Sequence, residues 1–159
     1  MGSTHSRTST VIIDRKQLKP GDHISYPVER WWTWLHFMPS VRHDAIVIQA
    51  EVTESGRVKT KVCHEVIEKE ARRVKNPHVG SSSCAGSGSH VVAVQHKKLD
   101  KHLRSGKLIR YNYAEDECFR ESDVVSRCQD YHFQKFFFLN AFNFRKCGDF
   151  VTWCKTGEE

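Results

Sequence analysis

With 159 residues, the chain has room for one compact domain and too few residues for two of ordinary size. Hydrophobic residues at 38% and charged ones at 28% exclude a disordered or fibrous chain, and no apolar run nears the roughly 20 residues of a membrane-crossing helix. A net charge of +6 suits an anionic partner, either a phospholipid leaflet or a nucleic acid, without choosing between them.

Residues 1–10 are polar and read as a disordered arm ahead of a single domain over 11–159. Met1-Gly2-Ser3-Thr4-His5-Ser6 fits the N-myristoylation pattern, with Gly2 as acceptor, although Met-Gly-Ser is also a familiar expression remnant. One acyl chain binds membranes only marginally and would need help from basic neighbours such as Arg7, Lys16 and Lys19. No secretory apolar region follows. The six cysteines are therefore expected as thiols, in a cytoplasmic protein that touches membranes at most peripherally.

Val11 to Asp14 is expected as a short strand and Leu18-Lys19-Pro20-Gly21-Asp22 as a turn, followed by a strand from His23 to Tyr26. Trp31, Trp32 and Trp34 open an aromatic segment, 31–39, that either folds over the core or settles into a bilayer interface. His43 to Val52 is apolar on both faces, as a central strand would be. After a turn at 53–56, Arg57 to Ile67 alternates, with Val58, Thr60, Val62, His64 and Val66 on one face. An antiparallel hairpin of these two strands would bring His43 and His64 together. The run of small residues at 81–89 reads as a surface loop, and His90 to Gln95 and Lys107 to Tyr113 as further strands. Between those strands, Lys97, Lys98, Lys101 and Arg104 form the densest basic run, a solvated face able to contact lipid or RNA.

A helix is expected from Ser122 as N-cap, burying Val124, Val125 and Cys128; the aromatic run Phe133 to Phe144 is expected to fill much of the core. A last helix begins at Cys147, since Cys147, Phe150, Val151 and Cys154 follow the i, i+3, i+4, i+7 rule and Gly157 can end it. A thiol at a helix start meets unpaired backbone N–H groups, and Arg145 and Lys146 precede it. Such a cysteine needs a base, and a histidine on the central strand is one candidate. Cys154, two turns deeper, reads as a core residue.

Leu18-Lys19-Pro20-Gly21-Asp22-His23-Ile24, His43-Asp44-Ala45-Ile46-Val47 and Val62-Cys63-His64 resemble the opening, the H-box and the second histidine of the lecithin:retinol acyltransferase-like family. Arg110-Tyr111-Asn112-Tyr113 with Asp116-Glu117-Cys118-Phe119 resembles its approach to the last helix, and Cys147-Gly148-Asp149-Phe150-Val151-Thr152-Trp153-Cys154-Lys155-Thr156-Gly157 its nucleophile motif. The resemblance implies an α+β, circularly permuted papain-like fold related to NlpC-type peptidases, a small antiparallel sheet with packed helices. It also implies a phospholipid as acyl donor, Cys147 as nucleophile, His43 as base and His64 as the group that orients it, with neither metal nor cofactor. The family usually has Asn before the cysteine and Glu-His after it, where this chain has Lys146 and Gly148-Asp149.

That departure and the positive charge also fit a second expectation: a catalytically silent protein of the picornaviral H-box/NC type that binds host factors or RNA. Zinc binding is the weakest alternative, because the cysteines lack short paired spacings.

Overall fold

The computed structural model describes residues 7–27, 42–67, 90–138 and 147–158. These form an α+β structure around one six-stranded antiparallel sheet. The strands are β1 (Arg7–Val11), β2 (His23–Pro27), β3 (Arg42–Val52), β4 (Val58–Ile67), β5 (His90–Lys97) and β6 (Ile109–Tyr113), in the spatial order β1-β6-β2-β3-β4-β5. Three α-helices accompany them: α1 (Asp100–Arg104), α2 (Glu121–Phe138) and α3 (Cys147–Thr156).

Strand alternation divides the core in two. One face of the sheet gathers Ile24, Tyr26, Ala45, Val47 and Val62, closed by Ile12, Leu18, Leu99, Leu103 and Leu108. The other carries Ile46, Ile48, Cys63 and Val92 under Val124 and Cys128 of α2 and Phe150, Val151 and Cys154 of α3. Burying an aliphatic or aromatic side chain of this size contributes roughly 1.5–3 kcal/mol before ordering costs. β3, apolar toward both layers, lies between β2 and β4 as expected. The β3–β4 hairpin pairs Val47 with Val62 and shifts register between Val47 and Gln49.

Gly21 holds φ at +85°, and a Cβ there would meet the Glu121 backbone at 2.9 Å, so only glycine lets the β2 turn pass under the start of α2. At the far end, Gly157 (φ +80°) closes α3, and its N–H donates to the Trp153 carbonyl at 2.8 Å.

Two expectations need correction. The first strand is Arg7–Val11 and not Val11–Asp14, so residues 7–10 belong to the sheet and not to a disordered arm; among the described residues β1 pairs with β6 alone, and its exposed sequence has no apolar alternation to reveal it. The basic run keeps Lys98, Lys101 and Arg104 exposed, as expected, and contains a five-residue helix, α1, held to the core by Leu99 and Leu103. α2 starts at Glu121, which puts Ser122 inside the helix instead of at its cap. Val124 and Cys128 are buried and Val125 half-buried, as expected. The Trp31–Trp34 segment, Gly2, the 81–89 loop and the side chains of the Phe133–Phe144 run lie outside the described residues. Among the described residues, no helix is long and apolar enough to cross a membrane.

Candidate functional site

The hairpin brings His43 and His64 into contact. His43 Nε2 lies 2.6 Å from His64 Nδ1, with the rings edge to face at 4.8 Å. His64 is 1% exposed, and its Nε2 lies 3.0 Å from Gln95 Oε1 on β5. Burial first, then the repulsion a protonated His43 would exert and the Lys97 charge, push the His64 imidazolium pKa down to about 3, so its ring is neutral at physiological pH. A neutral ring has one N–H. Gln95 offers an oxygen, so the His64 proton sits on Nε2 and its Nδ1 accepts from His43 Nε2–H. The proton-accepting nitrogen of a neutral His43 is then Nδ1. Tyr26 packs edge-on against His43 at 5.7 Å, and His102 of α1 stacks on Tyr26 at 5.5 Å.

Cys147 is the first residue of α3; its side chain lies outside the described residues. The helix meets the sheet where β3 starts. A Cβ on Gly148 would stand 2.7 Å from Asp44 Oδ2, so this first turn rests directly on the residue next to His43. Along β3, Asp44 projects with Ile46 toward α3, whereas His43 projects with Ala45 and Val47 to the other side. The imidazole pair and the start of α3 therefore share one end of β3 and flank it from its two faces.

Beneath α3 lies a second polar group. His23 is fully buried; its Nδ1 lies 2.7 Å from the Tyr113 hydroxyl and its Nε2 3.8 Å from Asp44 Oδ1. That gap to Asp44 is too long for a hydrogen bond. Burial dominates and lowers the His23 pKa, leaving the ring neutral despite the carboxylate. Burial alone would raise the Asp44 pKa, but polar interactions with His23 and Ser25 bring it below the usual carboxylate value. Lys155, also buried, donates to the Gly21 carbonyl at 3.1 Å and ties α3 to the β2 turn.

Of the anticipated site residues, His43 and His64 are joined, and Cys147 opens α3 at their end of the sheet. Cys154 is a core residue whose thiol pKa burial pushes well up. Cys63, Cys118, Cys128 and Cys154 are thiols, not disulfides. The basic run divides: Lys97, the last residue of β5, is half-buried and acts on His64, whereas Lys98, Lys101 and Arg104 stand exposed at α1. Sequence reasoning missed Gln95, Asp44, His23 and Tyr113. Gln95 had one signal, as a polar residue alternating with Ala93 on a buried face. No group of metal-ligating side chains occurs among the described residues. Comparison with models of known protein families, with curated proteins and with solved structures gives no match.

Proposed function

We propose that the protein is a thiol-dependent acyltransferase or phospholipase with a circularly permuted papain-like arrangement, in which Cys147 is the nucleophile, His43 its base and His64 the group that orients the base. The observation that supports this most is the His43–His64–Gln95 chain, which leaves His43 Nδ1 as the proton acceptor. In the proposed reaction the Cys147 thiol gives its proton to that nitrogen, and the sulfur attacks the ester carbonyl of a phospholipid. Backbone N–H groups at the start of α3 receive the negative oxygen. Collapse breaks the ester C–O bond and the leaving alkoxide takes the proton from His43, giving a lysophospholipid and a Cys147 thioester. An alcohol, an amine or water then takes the acyl group and restores the thiol. The reading requires the sulfur to meet His43 around the first residues of β3.

Incubation with phosphatidylcholine followed by intact-protein mass spectrometry tests it. One acyl chain is expected on Cys147, absent in Cys147→Ser and in His43→Ala, with iodoacetamide labelling Cys147 well ahead of Cys118 near neutral pH. If no adduct forms and Cys147 labels no faster than Cys118, the reading fails.

Asp44 favours a second reading, a catalytically silent interaction protein. Its carboxylate occupies the positive end of α3, where it competes with a thiolate for the helix dipole. On that reading the Cys147 thiol keeps an ordinary pKa and no acyl adduct appears.

A further inference from the structure

A cavity of about 720 Å³ opens between the β3–β4 turn and α1, within the size range of small-molecule sites. Among the described residues, five cationic side chains line it, Arg57 and Lys59 from the hairpin and Lys98, Lys101 and Arg104 from the α1 side, against the one carboxylate of Asp100. They come from segments more than thirty residues apart in sequence, so the fold, and not a local basic run, concentrates the charge.

The frame is rigid on both sides. In the turn, Thr53 N–H donates to the Arg57 carbonyl at 2.8 Å, Gly56 N–H to the Thr53 carbonyl at 2.7 Å and Arg57 N–H to Thr53 Oγ1 at 3.1 Å. Opposite, buried Leu99 and Leu103 pin α1. Thr53 and Ser55 also line the cavity, with their hydroxyls 2.9 Å from each other. Among the described residues, no aromatic ring lines it on which a nucleic-acid base could stack, and no large apolar side chain to receive an acyl chain.

We propose that this cavity binds a compact ligand carrying two or more clustered phosphates, either a soluble polyphosphate or the headgroup of a polyphosphorylated lipid. Cations held on two separate elements around one concavity match several dianionic groups at once. A long nucleic acid needs an extended basic track and stacking surfaces, whereas these cations gather around one concavity without an aromatic ring among the described residues that line it. Nothing in this binding depends on the Cys147 thiol.

Isothermal titration with inorganic triphosphate and with inositol trisphosphate, and flotation with phosphatidylcholine vesicles doped with a phosphatidylinositol bisphosphate, test the proposal on the full chain. Arg57→Gln/Lys101→Gln, which removes one cation from each wall, is expected to weaken binding by about tenfold or more. Lys107→Gln/Arg120→Gln, which removes two exposed cations outside the cavity lining, is expected to leave it within about twofold. Because like charges crowd the empty cavity, the first variant should melt no lower than the parent, so its lost binding would not be a folding defect. Cys147→Ser should bind like the parent. Saturable binding of the soluble probes identifies a free polyphosphate, and binding to doped vesicles alone identifies a lipid headgroup. The proposal is overturned by no saturable binding to any of the three, by equal losses in the two double variants, or by single-stranded RNA binding tighter than triphosphate with losses shared between them.

Discussion

A neutral imidazole has one proton to give, and the Gln95 oxygen decides where the two protons of the histidine pair reside. Its acceptor at 3.0 Å holds the His64 proton on Nε2, and the 2.6 Å contact then holds the His43 proton on Nε2 as well. Gln95 is thus a positioning residue, acting on the base through a second ring. Replacing it with Leu strands a buried N–H, at a cost of about 1–3 kcal/mol. Gln95→Glu tests the electronic role instead. A carboxylate beside His64 favours its charged form, which donates from both nitrogens, so His43 Nε2 must become the acceptor and its proton moves to Nδ1. Imidazole ¹⁵N shifts are expected to report Nε2–H on both rings in the parent, and a doubly protonated His64 with Nδ1–H on His43 in Gln95→Glu. The same shifts in parent and variant would show that Gln95 does not set the tautomers.

At the level of elements, one sequence departure in the last helix, Gly148, turns out to be a neighbour of Asp44 on β3. Gly148, which stands where the resembled family has Glu, leaves the space that the Asp44 carboxylate enters from β3. In an ordinary helix Gly→Ala is stabilising by up to about 1 kcal/mol. Here the added methyl would press on a half-buried, ionised carboxylate at 2.7 Å. Gly148→Ala is therefore expected to be neutral or destabilising in the parent and stabilising in an Asp44→Ala background, with a coupling of about 1 kcal/mol in a urea-denaturation cycle. Additive effects would mean that the two residues do not share this space. Sequence reading reached β3 because it is apolar on both faces, and β4 and the histidine pair because alternation fixes which face of a strand each residue takes. It missed β1, whose Arg-Thr-Ser-Thr-Val sequence is exposed throughout, and α1, which spans only five residues and carries a single i, i+4 apolar pair. The Asp44–His23–Tyr113 group was illegible for another reason. β6 joins the sheet beside β2 from about ninety residues away, and no spacing in the chain announces that neighbour.

For the whole molecule, two buried neutral histidines tie stability to pH. The folded pKa of His64 is depressed to about 3 from an ordinary 6.5, and burial lowers His23 in the same direction. Between those two values the unfolded chain binds a proton that the folded protein refuses. Stability is therefore fully present above about pH 6.5 and declines as pH falls toward the folded value, by up to about 1.4 kcal/mol per pH unit for each such group. For His64 alone the loss between neutrality and pH 5 is about 2 kcal/mol. Asp22, whose pKa burial raises, works the other way as its carboxyl protonates, so the slope of the parent protein does not isolate the histidine term. The comparison with His64→Gln does, because Gln keeps a buried polar side chain and does not titrate. Urea midpoints are expected to place the variant below the parent at neutral pH and to narrow that gap by about 2 kcal/mol at pH 5. A gap that stays constant across the range would mean that His64 is not held neutral in the folded protein, and the proton positions assigned to the pair would fall with it.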